Sequence, residues 1–250
     1  SMPDASFHID ASNSIEVSTV TGYHVHELKE LIASQAPEED QDKYLVRDLL
    51  NPNDFVVLVV PIDSAAPKGR LILPQQQTIR SLLDAGCIPV VARETELART
   101  LSLLREPPAL VVTDSQAFGM VSRIVPDSVR LTSFSILFAR YKGDLRTAVL
   151  GAAALRQLKD GDTVLISEGC THHRQCGDIG TEKLPRWVRQ YTGRDIRFVF
   201  TSGGEFPENL SPYALIIHCG ACMLGEREMQ SRLRRAAEQC IPVTNCGIAI

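Results

Sequence analysis

Two short segments of the 250-residue chain concentrate the side chains that could do chemistry. The first is Cys170-Thr171-His172-His173-Arg174-Gln175-Cys176, and the second is His218-Cys219-Gly220-Ala221-Cys222. Thiolate and imidazole are the ligands that zinc and iron centres favour. A Cys-x-x-Cys pair in a tight loop can put two sulfurs on neighbouring metal atoms, and Gly220 is expected to let the backbone curl closely round them. Cys170 would bring a third thiolate. Three chemistries fit this set. A four-iron cluster could sit on Cys170, Cys219 and Cys222, with His172 or His218 as a weak or exchangeable fourth ligand. A structural zinc could close its shell with four such ligands. A dithiol oxidoreductase could use Cys219 and Cys222 alone, leaving Cys170, His172 and His173 without a role. Cys176 is ambiguous as a ligand. The other cysteines, Cys87, Cys240 and Cys246, read as buried structural residues.

The elements that must position these residues are strands. The run Thr163 to Ile166 precedes the first segment and Ala214 to Ile217 precedes the second. Loops that leave parallel strands meet at the carboxyl edge of the sheet, so segments far apart in sequence can converge there. The helix starting near Gly225 would turn its positive end towards them.

The rest of the chain reads as two further stretches of alternating strand and helix. Ile15-Glu16-Val17 predicts a strand, and His24 to Ile32 predicts a helix with Val25, Leu28, Leu31 and Ile32 on one face. Residues 36–43 are polar and acidic, as in a linker. Phe55 to Val60 predicts a strand buried on both faces. It is followed by a helix over Gln75 to Ala85, a strand over Pro89 to Ala92, a helix over Glu96 to Leu104 and a strand over Leu110 to Thr113. Beyond these, helix is expected from Ser135 to Leu158 with a break near Gly143, then from Lys183 to Tyr191 and from Glu226 to Gln239. A strand is expected at Ile196 to Phe200, and Trp187 is expected in the core. The fold class is therefore α/β: two small parallel-sheet α/β domains, 44–132 and 133–250, after a short N-terminal piece, 1–43.

The totals bound the function. Hydrophobic residues make up 44% and charged residues 22%, as in globular proteins. A net charge of -4 argues against a nucleic-acid surface. No apolar run approaches the roughly 20 residues that span a bilayer, so no membrane association is expected. The odd count of seven cysteines, with no export signal, points to a reducing, cytoplasmic setting rather than a disulfide framework.

The Cys170-Thr171-His172 and His218-Cys219-Gly220-Ala221-Cys222 segments resemble those of HydF, the GTPase scaffold that matures [FeFe]-hydrogenase. Val59 to Asp63, Pro67 to Gln75, Thr113 to Gln116, Leu131 to Ser135 and Asp178-Ile179-Gly180 look like the family too. The resemblance implies a GTPase domain, a dimerisation domain and a cluster-binding domain. Val17-Ser18-Thr19-Val20-Thr21-Gly22 is similar to the last GTPase signature, which makes 1–43 the expected tail of that domain plus a linker, 44–132 the dimerisation domain and 133–250 the cluster-binding domain. The phosphate-cradling Gly-x-x-x-x-Gly-Lys-Ser/Thr loop and the Asn-Lys-x-Asp motif are not in this sequence. GTP binding and hydrolysis are thus implied for the full-length family protein only, and this chain reads as a cluster carrier rather than an enzyme. The resemblance further implies a [4Fe-4S] cluster on Cys170, Cys219 and Cys222, with His172, His218 or Asp178 in the fourth position. It implies a transient two-iron precursor as cargo, radical-SAM maturases as donors, apo-[FeFe]-hydrogenase as acceptor and a homodimer as the assembled state.

Overall fold

The computed structural model describes residues 14–34, 43–62, 69–169 and 179–250. The chain divides into two compact units, Ser1–Lys43 and Tyr44–Ile250. In the first, α1 spans Val25–Ser34. Ahead of it, Gly22 and His24 take positive φ and Ser18 bonds both Gly22 and Tyr23 through the backbone. Residues 15–17 form no strand, contrary to the alternation read there, because no partner strand lies beside them among the described residues.

The second unit holds two four-stranded sheets, both parallel throughout. The elements run β1 (Phe55–Val59), α2 (Leu73–Asp84), β2 (Ile88–Ala92), α3 (Leu97–Leu103), β3 (Leu110–Thr113), α4 (Phe118–Val121), β4 (Leu131–Ser133), α5 (Phe134–Lys142) and α6 (Leu145–Ala152). They continue with β5 (Thr163–Glu168), a π-helical turn at Ile179–Lys183, α7 (Leu184–Thr192), β6 (Arg197–Ser202), β7 (Leu215–His218), α8 (Glu226–Glu238), β8 (Val243–Asn245) and α9 (Cys246–Ala249). The strand orders are β2-β1-β3-β4 and β6-β5-β7-β8, the same winding used twice.

Both faces of each sheet are covered, which is why the central strands are continuous apolar runs. In the first sheet Val56 and Leu58 pack with Leu82, Phe134, Leu137 and Phe138, while Val57, Val59 and Val111 face Leu97, Val121 and Val125. In the second, Val164, Ile166 and Ile217 pack with Leu184 and Val188, with Trp187 against them; Leu165 and Ile216 face Leu210 and Ala236. Sequence periodicity missed β4 and β8. Each has only three residues and runs straight into a helix, capped by Ser133 on Ile136 N–H and by Asn245 on Gly247 N–H.

The long helix expected across Ser135 to Leu158 is broken at Gly143 into α5 and α6, with Asp144 capping the second. The two sheets meet at this break. Helix α5 packs into the core of the first sheet, and Gly151 of α6 lies so close to β8 that a Cβ would stand 1.9 Å from the Val243 carbonyl oxygen.

Candidate functional site

The switch in strand order of the second sheet falls between β5 and β7, the strands that precede the two cysteine segments. Ser167 pairs with His218 across it. Loops leaving such a point open a crevice at the carboxyl edge. The loop after β7 is tied to the end of β5: Cys219 N–H donates to the Ser167 carbonyl at 3.0 Å, and Gly169 N–H donates to Cys219 Sγ at 3.0 Å. Ala221 N–H makes a second bond to the same sulfur at 3.3 Å.

Gly220 and Ala221 divide the work of this turn differently from the expectation. The positive φ, 54°, falls on Ala221, which is buried. Gly220 is there for closeness instead, since a Cβ would sit 3.2 Å from the Ser135 Cα at the start of α5. Left-handed backbone at a non-glycine residue is costly and is kept where its surroundings hold it. The holding group here is Lys142, the last residue of α5. Its Nζ donates to the carbonyls of Ala221 at 3.2 Å, Cys222 at 2.9 Å and Leu224 at 2.7 Å, and it lies over the Phe138 ring.

The loop therefore spans two cores. Cys219 packs against the core of the second sheet and Cys222 against that of the first. Burial pushes both thiols above the ordinary cysteine range; Glu168 adds to this at Cys219, whereas Lys142 works against it at Cys222. Burial also pulls the Lys142 ammonium down. Glu168 ends β5 with its carboxyl against Gly180, where a Cβ would come 2.2 Å from Oε1. That close approach is a physical reason for a glycine in the Asp178-Ile179-Gly180 stretch.

His218 is fully enclosed. Its Nδ1 lies 2.9 Å from the Cys219 carbonyl and its Nε2 lies 3.1 Å from Arg232 Nη1. A guanidinium can only donate, so Nε2 accepts and Nδ1 carries the proton. Burial lowers the His218 pKa to about 4, and the Arg232 charge adds to the shift. Arg232 is itself buried, bonded to Glu228 at 2.7 Å, Ser167 Oγ at 3.3 Å and the Gly203 carbonyl at 2.8 Å.

Of the residues singled out in the sequence, Cys219, Cys222 and His218 thus share one loop. Cys170, His172, His173, Cys176 and Asp178 lie outside the described residues. Among the described residues, no three His, Cys, Asp or Glu side chains gather as a metal site. The Cys219 and Cys222 sulfurs nevertheless suit an iron–sulfur group: both residues are partly buried, and Cys219 Sγ takes backbone N–H bonds of the kind that tune such sulfurs. Cys87 and Cys246 are buried as expected, whereas Cys240 is exposed, because it turns the chain at the end of α8 with a φ of 55°. Lys142, Glu168 and Arg232 had escaped notice. Only Arg232 carried a signal, as a charged residue at helical spacing between Met229 and Ala236 on the buried stripe of α8.

Among the described residues no helix is long and apolar enough to cross a membrane. A comparison with curated proteins finds no match. Residues 45–143 match the family model described as the hydrogen maturase F dimerization domain, and residues 146–250 match the hydrogen maturase F tetramerization domain.

Proposed function

Since the chain belongs to the hydrogen maturase F family, we propose that it is a scaffold that holds a [4Fe-4S] cluster on Cys170, Cys219 and Cys222 and hands a two-iron precursor to apo-[FeFe]-hydrogenase. The observation that carries this reading is the Cys219 sulfur, partly buried and met by two backbone N–H donors, with Cys222 in the same clamped loop. Cys170 follows Gly169 directly, and one residue step is about 3.8 Å. Gly169 is the residue whose amide already touches Cys219 Sγ.

Within this reading each group has a task. Cys219 and Cys222 bind. Gly169 and Ala221 orient the first sulfur through their amides. Lys142 fixes the loop from outside and sets a positive charge near an anionic group. When bound, the cluster supplies an iron with an exchangeable fourth position, for which His172, His218 and Asp178 are the candidates by resemblance. The two-iron precursor is cargo, received from radical-SAM maturases and released again.

Assembly is part of the proposal. Residues 44–132 would pair two chains, in keeping with the name of the first matched domain. Strand β2 is an edge strand with Ile88 and Val91 exposed, an edge of the kind that proteins normally cover. Residues 133–250 would form the cluster-binding part, with Phe134, Leu137 and Phe138 of α5 packed on the first sheet.

The dithiol reading draws less support. A reactive dithiol needs a depressed thiolate pKa, and both thiols here are pushed up. Anaerobic reconstitution with iron and sulfide separates the readings. The expected result is about four irons and four sulfides per chain with a broad visible absorption band, and loss of both in Cys219→Ser. A chain that takes up zinc alone, or forms a reducible disulfide and no cluster, would refute it.

A further inference from the structure

Arg232 is a buried cation with four hydrogen-bond partners. Its Nε donates to Glu228, Nη2 to the Gly203 carbonyl, and Nη1 to Ser167 Oγ and His218 Nε2. The Phe206 ring lies 5.0 Å from its guanidinium carbon. These contacts join four pieces of the second sheet's carboxyl edge: the end of β5, the loop after β6, the end of β7 and the first turns of α8. Glu228, the anion of the set, is about half exposed, so the pair is anchored from the rim.

The consequence falls on His218. A metal bond to imidazole uses the lone pair of an unprotonated ring nitrogen. The Nε2 lone pair already receives the Arg232 N–H, and Nδ1 bears the proton it donates to the Cys219 carbonyl. Neither nitrogen is open. Cys219, by contrast, is held at three points: its amide by Ser167, its carbonyl by His218 and its sulfur by two amides.

We propose that Arg232 is a positioning residue that caps His218, so that His218 braces the backbone of Cys219 and reaches a metal only when Arg232 lets go. The proposal deepens the cluster reading and rests on it for its metal-bound half. It also assigns Ser167 a part, since that hydroxyl accepts from both Thr201 and Arg232 and keeps the guanidinium beside the imidazole. The exchangeable fourth position then falls to a group other than His218 while Arg232 is in place.

The metal-free half is tested on the chain as it is. Nitrogen-15 NMR of the histidine rings should show one imidazole fixed as the Nδ1–H tautomer, its signal absent from His218→Gln. Finding that ring as the Nε2–H tautomer, or exchanging between the two, would overturn the proposal without touching the cluster reading. The metal-bound half uses pulsed EPR of the reduced, reconstituted chain. Wild type and His218→Gln should give the same nitrogen couplings, and Arg232→Gln should gain a strongly coupled imidazole nitrogen that Arg232→Gln/His218→Gln lacks. Loss of an imidazole coupling on going from wild type to His218→Gln would contradict it, as would an Arg232→Gln spectrum unchanged from wild type in a variant with wild-type circular dichroism. Failure of wild type to hold any cluster would sink the cluster reading instead, and the NMR result would still decide the state of His218.

Discussion

Lys142 gives all of its ammonium donors to three carbonyls of the cysteine loop, and the ammonium lies over the Phe138 ring. Lys142→Met keeps an unbranched side chain of similar length and leaves the three carbonyls without their shared donor. The expected cost is about 1–3 kcal/mol, read as a lower urea midpoint at unchanged slope; a midpoint equal to wild type would mean that the loop does not lean on this residue. His218 sets a pH dependence with a definite sign. Its folded pKa is about 4 against an ordinary 6.5, lowered chiefly by burial. The unfolded chain accepts a proton over that interval that the folded one refuses. The His218 share of stability is therefore complete above pH 6.5 and is lost as the pH falls towards 4. In the metal-free chain that share amounts to about 2 kcal/mol between pH 7 and pH 5. Chemical denaturation at the two pH values should show His218→Gln losing correspondingly less than wild type, and equal losses would exclude the effect.

Gly151 shows how an element is placed by what it lacks. Alanine in a helix interior is favoured over glycine by about 1 kcal/mol, yet a Cβ here would stand 1.9 Å from the Val243 carbonyl oxygen of β8. Overpacking against backbone costs about 1–3 kcal/mol, so the clash wins. Gly151→Ala should lower the melting temperature, whereas the exposed Gly204→Ala, with nothing within 4 Å, should not. A rise in melting temperature for Gly151→Ala would show that α6 and β8 are not this close. Elements of this kind mark the boundary of what the sequence discloses. The runs in β1, β3, β5 and β7 were legible because burial on both faces fills most of their positions with apolar residues. The three-residue strands β4 and β8 were not, since they are too short to show a period, and their last residues, Ser133 and Asn245, serve as helix caps. The Cys219 loop could be found from its own residues. Its clamp could not, because Lys142 is distant in sequence and sits in an unremarkable helix end. The left-handed turn on Ala221 also escaped, as glycine next to it was the residue expected to take it.

At the scale of the whole chain, two sheets wound in the same order share one compact unit, with the cysteine loop seated between their cores. The same architecture leaves β2 as an open edge, so light scattering should report a mass of at least two chains, and Val91→Lys should shift it towards one. A single-chain mass for the unsubstituted protein would remove the pairing from the account. The central claim is that Cys170 joins Cys219 and Cys222 around one cluster, and iron counted cysteine by cysteine tests it most directly. After anaerobic reconstitution, Cys170→Ser, Cys219→Ser and Cys222→Ser should each lose the cluster, while Cys87→Ser, Cys240→Ser and Cys246→Ser keep wild-type iron and sulfide. A Cys170→Ser chain that retains the full complement of iron and sulfide would contradict the claim.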